Sequence, residues 1–225
     1  MNLEKNLQIV NTNIAEACKL SNRNKKEISI IGVTKNVDLE TTKNLIEKGI
    51  IHLGENRPIP FLEKHEAFKN ITNKPIWHFI GNLQTRQVRK VINKIDYLHS
   101  LDRLSLAIEI EKYAEKEVKC FIQVNTSLEK TKQGIYPEEI LDFIKNISIF
   151  KKIKIVGLMT MAPYTEDESI LLNCFEKLKI CLNKIKELDE YKFVSIGLSM
   201  GMSNDYKIAI LKGATFIRLG TCLFE

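Results

Sequence analysis

The chain has 225 residues, of which 44% are hydrophobic and 28% charged, and these values exclude a disordered protein. Its formal net charge of +6 comes mostly from lysines interleaved with acidic residues, as in TTKNLIEKG, which argues against a nucleic-acid-binding surface. Charged and polar groups interrupt the first twenty residues, so we expect neither a signal peptide nor a membrane span. Five cysteines without CxxC spacing predict reduced thiols and a cytoplasmic protein.

The apolar residues of the first segment recur at steps of three and four and predict an amphipathic helix: Leu3, Leu7, Val10, Ile14 and Cys18. After the connector SNRNKK, short β-rich runs alternate with helical patterns. The predicted strands are 28–34, 50–54, 76–81, 96–100, 118–125, 153–161, 193–199 and 216–220. The predicted helices lie near 39–48, 59–69, 85–94, 103–116, 137–147, 166–189 and 203–213.

Eight strands that alternate with helices, without a Pro- or Gly-rich linker, favour one parallel (β/α)8 TIM barrel over residues 1–225 with an additional N-terminal helix. An open doubly wound sheet is the alternative, because a count of strands does not prove closure. Alternation within strand seven directs small residues inward, namely Ser195, Gly197 and Ser199, and apolar ones outward, namely Val194, Ile196 and Leu198. In strand eight Phe216, Arg218 and Gly220 share one side.

Active sites of such barrels lie at the carboxyl ends of the strands, where Lys35 follows the apolar run ISIIGVT. Because apolar neighbours would partly desolvate its ammonium, we expect Lys35 to supply a free amine that can attack an aldehyde. The alternative interpretation is a lysine that extends into solvent.

The segment LSMGMSND joins strand seven to the last predicted helix, with Gly201 allowing close backbone approach and Ser203 as a natural N-cap. The loops after strands seven and eight are a common phosphate site in these barrels. The candidate phosphate-binding residues are therefore Ser199, Gly201, Ser203, Gly220 and Thr221. A capped helix beside a glycine turn is an equally simple interpretation of the same residues.

Arg218 lies between two apolar residues, so its buried guanidinium requires a carboxylate or a ligand acceptor. A lysine amine, phosphate donors and a partner for a ring nitrogen are together what pyridoxal 5′-phosphate (PLP) needs. His52, His78 and His99 lie near successive strands but lack an HxH or HExxH relationship. We expect the barrel to keep these histidines apart, and we predict no metal site.

The motifs GVTKNV, HLGEN, WHFIGNLQ, HSLDR, QVNTSLEKTKQGI, GLMTM, LSMGMSND and GATFIRLGT follow one another from about Ile28 to Phe224. In this order they resemble the pyridoxal phosphate homeostasis proteins, single-barrel relatives of the alanine racemase N-terminal domain. The resemblance implies that Lys35 holds PLP as a Schiff base and that Asn56 lies beside the cofactor. It also implies that Arg218 faces the ring nitrogen and that the candidate residues above hold the phosphate. The chain departs from the family pattern at Arg57–Pro58, Arg86 and Lys207.

Two classes of function remain open. A racemase on this barrel needs a second acid–base group, normally from an additional domain, and only five residues follow Gly220. We therefore expect a PLP-binding protein without catalytic residues that contributes to vitamin B6 homeostasis and amino-acid metabolism in the cytoplasm. PLP-dependent apo-enzymes are possible recipients, and we expect a monomer without nucleic-acid or membrane partners. The alternatives are a PLP-dependent racemase of low activity and a barrel enzyme that acts on a sugar phosphate without PLP.

Overall fold

Eight parallel strands form a closed barrel in which each strand pairs with the next in sequence and the last pairs with the first. The computed structural model describes residues 2–129, 131–187 and 197–225. The strands are β1 (Ser29–Val33), β2 (His52–Glu55), β3 (Ile76–Phe79), β4 (Tyr97–Leu101), β5 (Val118–Gln123), β6 (Ile153–Met159), β7 (Gly197–Met202) and β8 (Phe216–Leu219). The helices are α1 (Leu3–Leu20), α2 (Leu39–Glu47), α3 (Pro58–Ala67), α4 (Val88–Val91), α5 (Leu104–Tyr113), α6 (Ile140–Ile147), α7 (Glu168–Lys186), α8 (Tyr206–Leu211) and α9 (Thr221–Phe224).

Closure of the barrel depends on the parallel pairing of β1 with β8. Ser29 lies opposite Phe216 and Gly32 lies opposite Leu219 in this pairing. The predicted single barrel is therefore confirmed, and the open doubly wound sheet is excluded. In a closed parallel barrel the carboxyl ends of all strands meet at one face, where active sites collect.

The predicted amphipathic helix before the barrel is confirmed as α1, which packs against α8 and α9. Its N-cap residue Asn2 accepts a hydrogen bond from the backbone N–H of Lys5 at 3.0 Å. The side chain of Asn13 donates to the hydroxyl of Tyr206 on α8 at 2.7 Å. None of the described helices is both long enough and apolar enough to cross a membrane.

The bounds of several predicted elements differ from the structure, most clearly in the helix predicted over 85–94 and in strand seven. The helix predicted over 85–94 is a 3-10 turn at Thr85–Gln87, the short α4, and a second 3-10 turn at Ile92–Lys94. The described part of β7 continues three residues beyond the predicted end at Ser199, and its pairing register with β8 shifts between Ser199 and Met202. Gly201 lies at this irregularity with φ of +95°, a conformation that glycine adopts readily. Residues 193–196 of the predicted strand lie outside the described residues.

We predict that α1 stabilises the barrel through its buried face. Ile14 is 1% exposed and Ile9 is 50% exposed on the same helix. Ile14→Ala should lower the free energy of unfolding by about 3 kcal/mol, because it removes buried methyl groups and leaves a cavity. Ile9→Ala, the matched control, should cost less than about 1 kcal/mol in the same urea titration. Equal losses in the two variants would show that α1 does not pack as described.

Candidate functional site

A cavity of about 940 Å³ opens at the carboxyl ends of the strands. Its wall includes six of the eight predicted site residues, namely Lys35, Asn56, Ser203, Arg218, Gly220 and Thr221. Ser199 and Gly201 lie behind the wall and are both buried. Tyr164, which is 95% exposed, stands at the edge of the same cavity. Residues from opposite ends of the chain thus line the same cavity.

Lys35 lies two residues beyond the end of β1, on the connection to α2. Its side chain lines the cavity, and the residue is exposed, whereas the preceding Thr34 is completely buried. The expected partial desolvation of Lys35 is therefore wrong, because the strand ends at Val33 and leaves the lysine on a loop. The amine is accessible to a molecule that enters the cavity.

A buried ion pair lies directly beneath Lys35 and Asn56. The Nζ of Lys64 on α3 donates to the Oε1 of Glu55 at 2.7 Å and also to the backbone carbonyl of Thr34. The hydroxyl of Thr34 donates to the same Glu55 oxygen at 2.6 Å. Since Thr34 precedes Lys35 and Glu55 precedes Asn56, the ion pair holds the ends of β1 and β2 together at the two site residues.

Sequence reasoning missed Lys64, although a signal for its burial was present. Lys64 lies three residues after Phe61 and four before Phe68, and all three residues are buried. This spacing places a lysine on the inward face of a helix. Glu55 is completely buried, and its second oxygen, Oε2, has no partner among the described residues. A buried carboxylate of this kind requires the Lys64 cation.

The loops after β7 and β8 are joined through one hydroxyl group. The Oγ of Ser203 accepts hydrogen bonds from the backbone N–H groups of Gly220 and Cys222, both at 3.2 Å. The helix α8 begins at Tyr206 with Asp205 at its N-cap position, so the predicted N-cap role of Ser203 is wrong. The turn before α8 is instead closed by a hydrogen bond from the N–H of Met202 to the carboxylate of Asp205.

Gly201 determines how closely α8 approaches this loop. A Cβ atom at Gly201 would lie 2.7 Å from the Cβ of Ala209 and 3.0 Å from the Cα of Tyr206, and its φ is +95°. Any side chain there would push α8 away from β7. The backbone N–H groups of Ser203 and Asn204, which follow this bulge, have no acceptor within the described part of the chain. They remain available to an anion in the cavity.

Arg218 is a buried cation at the cavity wall, only 4% exposed. Its Nη1 donates to the Oγ of Ser199 at 2.7 Å and its Nη2 to the carbonyl of Thr160 at 2.8 Å. Its Nε–H has no acceptor among residues 2–129, 131–187 and 197–225. Burial lowers the pKa of Arg218 to about 10, against the opposing effect of Asp205, so the guanidinium stays charged at neutral pH. The same cause, burial, raises the pKa of Asp205.

The three histidines near successive strands are not kept apart, contrary to the expectation from the sequence. The Nδ1 of His52 lies 2.8 Å from the Nε2 of His78, and the Nδ1 of His78 lies 2.9 Å from the Nε2 of His99. The cause is that β2, β3 and β4 are neighbours and direct all three rings into the barrel. Within the described residues no group of three or more histidine, cysteine or acidic residues is arranged to hold a metal ion.

We predict that the Lys64–Glu55 pair is essential to stability. Lys64→Met should lower the free energy of unfolding by about 3–5 kcal/mol at neutral pH, because it leaves the Glu55 carboxylate buried without a cation. The matched control is Lys69→Met on the exposed pair of Lys69 and Glu66, which should cost less than about 1 kcal/mol. Chemical denaturation measures both, and a small loss for Lys64→Met would contradict the prediction.

Comparison with known proteins shows the family to which this chain belongs. The family model described as alanine racemase, N-terminal domain, matches residues 6–225. The pyridoxal phosphate homeostasis protein of Aquifex aeolicus is 37% identical over 100% of this chain and 98% of its own length.

Solved structures agree with this placement. The structure of PipY from Synechococcus elongatus PCC7942 with PLP bound is 27% identical, with a TM-score of 0.81, over 94% of this chain and 100% of PipY. An alanine racemase of Clostridium difficile 630 shares the fold at 17% identity and a TM-score of 0.77, and the match covers 99% of this chain and 56% of the racemase. The chain therefore belongs to the alanine racemase N-terminal domain family and to the family of the pyridoxal phosphate homeostasis proteins.

Proposed function

We propose that this protein binds PLP, holds it covalently through the amine of Lys35 and contributes to PLP homeostasis in the cell. The observation that carries the proposal is the convergence of three kinds of group on one cavity: an exposed amine, N–H groups without an acceptor among the described residues, and a buried guanidinium. The names of the relatives and the PLP bound to PipY support the same cofactor.

The residues of the cavity fit PLP in size and in chemistry. A volume of about 940 Å³ lies within the range of cofactor pockets. Bound PLP supplies an aldehyde that reacts with amines and a ring that withdraws electrons. The primary amine of Lys35, accessible at the end of β1, is the group that would attack the aldehyde. Asn56, after the neighbouring strand β2, lies beside it on the cavity wall.

The loops after β7 and β8 supply the donors for the phosphate. The N–H groups of Ser203 and Asn204 lack protein acceptors within the described part of the chain. Gly220 and Thr221 line the same wall. Because the Ser203 oxygen already accepts two N–H bonds, its own proton is the hydrogen-bonding function that remains. Hydrogen bonds from such donors to an ionised phosphate are stronger than neutral ones.

Arg218 is the group that would face the ring nitrogen. A guanidinium donates hydrogen bonds and accepts none, and its charge opposes protonation of a neighbouring nitrogen. The ring then withdraws electrons less strongly, which favours holding the cofactor over rapid turnover of amino acids. In this arrangement Ser199 and Gly201 support the cofactor indirectly, from behind the wall. Ser199 accepts a hydrogen bond from Arg218, and Gly201 allows α8 to pack closely against β7.

The accessibility of the site suits a protein that receives and releases PLP. Lys35 is exposed, and Tyr164 at the edge is almost completely exposed. We infer that PLP-dependent apo-enzymes of the cytoplasm are the recipients and that the protein acts as a monomer.

Lys35→Ala should abolish covalent attachment of PLP, because no other residue among those described in the cavity wall supplies a side-chain amine. The measurement is the mass of each protein after incubation with PLP and reduction by borohydride, with the modified peptide mapped. Wild type and Lys90→Ala, which removes an exposed lysine outside the cavity, should both carry one adduct at Lys35. An adduct of wild-type yield in folded Lys35→Ala would overturn the assignment.

Ser203→Ala should weaken PLP binding about tenfold, because it removes one donor and leaves two N–H groups of the next loop without an acceptor. Binding of pyridoxal, which lacks the phosphate, should change little. Ser148→Ala is the control, since the Ser148 hydroxyl donates to the carbonyl of Lys145 at an exposed helix end outside the cavity. Titration of both ligands by absorbance gives the affinities, and equal losses for PLP and pyridoxal would refute a phosphate-specific role.

A further inference from the structure

A continuous row of hydrogen-bonded side chains runs from the cavity wall through the interior of the barrel. Arg218 Nη1 lies 2.7 Å from Ser199 Oγ, which lies 2.9 Å from His99 Nδ1. His99 Nε2 lies 2.9 Å from His78 Nδ1, and His78 Nε2 lies 2.8 Å from His52 Nδ1. Because His52 is the first residue of β2, the row ends at the face of the barrel opposite the cavity.

The rings of the two inner histidines are fixed by aromatic packing. Tyr97 stacks on His78 with ring centroids 4.5 Å apart, and Phe121 stacks on His99 at 4.4 Å. His78 and His99 are at most 1% exposed, and burial lowers the pKa of each well below 6.5. Burial also lowers the pKa of His52, with Asp96 opposing and Lys119 adding to the effect. The three imidazoles are therefore neutral at neutral pH.

Because the three imidazoles are neutral, the hydrogen bonds between them must all run in the same direction along the row. A neutral imidazole has one N–H and one acceptor nitrogen, so each link between two histidines contains one proton and all three must share the same tautomer. Arg218 donates to Ser199, whose hydroxyl then has one proton to give, and His99 Nδ1 is the acceptor within reach. The acceptor nitrogen of His99 also faces the positive charge of Arg218, which favours this direction electrostatically.

We infer that His99, His78 and His52 are positioning residues, all protonated on Nε2, which hold the Ser199 hydroxyl and through it the guanidinium of Arg218. This inference rests on the proposed function, in which Arg218 faces the ring of PLP. Each histidine accepts from the one nearer the cavity end of the row through its Nδ1. The orientation of a group at the site is thereby coupled to His52 at the far end of the barrel.

The tautomers are measured in the protein without PLP, by nitrogen-15 NMR of the imidazoles, with His65 as the histidine outside the row. His52, His78 and His99 should each be neutral and protonated on Nε2 at neutral pH. In His52→Phe, which removes the last acceptor, the resonances of His99 should shift although the two rings are not in contact. A proton on Nδ1 in any of the three, or unchanged His99 resonances in His52→Phe, would overturn the inference.

The effect on the site is measured with His99→Phe and His99→Asn after loading with PLP. His99→Phe keeps an aromatic ring against Phe121 but removes both nitrogens, so PLP should bind about tenfold more weakly and its absorbance maximum should shift. His99→Asn, whose side-chain oxygen can replace Nδ1 as the acceptor for Ser199, should recover most of the affinity. His65→Phe is the control and should match wild type in both measurements.

Wild-type affinity and absorbance in a folded His99→Phe variant would contradict a positioning role, as would His99→Asn behaving no better than His99→Phe. If His99→Phe does not fold, the comparison of His99→Asn with wild type and the tautomers of the wild-type protein decide the matter. Failure of the wild-type protein to bind PLP would refute the proposed function, whereas the NMR result would still test the row.

Discussion

The parallel pairing of β1 with β8 is the contact on which the site depends. In this register Ile31 lies opposite Arg218 and Gly32 opposite Leu219. The loop that carries Lys35 therefore leaves the barrel beside the loop that begins at Gly220. Without closure, an amine near one end of the chain and N–H donors near the other would lie at opposite edges of an open sheet. Closure places both on the wall of one cavity.

Beneath the cavity, two buried clusters of polar residues fix the positions of groups at the site. One is the Lys64–Glu55 pair under the ends of β1 and β2, and the other is the row that begins at Arg218. Burial of a charge is unfavourable unless the charge is paired and hydrogen-bonded, so each cation fixes the geometry of the groups that satisfy it. The Lys64–Glu55 pair fixes the ends of β1 and β2 near Lys35, and the row of side chains directs the guanidinium of Arg218 toward the cavity.

Much of the fold followed from local pattern. The alternation of eight apolar runs with helical repeats predicted the barrel, and the three- and four-residue spacing predicted α1. The candidate residues chosen at the ends of the predicted strands mostly line one cavity. The failures among the hydrogen-bonding roles occurred where a residue's partner is distant in sequence. Ser203 was interpreted as a cap of its own helix, but its hydroxyl bonds the loop after β8.

The sequence by itself determined the β/α order, the side chains that share a face in the last two strands and which polar residues stand near strand ends, because these depend on periodicity along the chain. Only the tertiary structure decided that Lys35 is exposed, that Glu55 is the partner of Lys64 and that three histidines bond one another. These outcomes depend on which strands are neighbours and how far each loop extends. Desolvation and hydrogen bonding act over a few ångströms in space, and no spacing along the chain reports that distance.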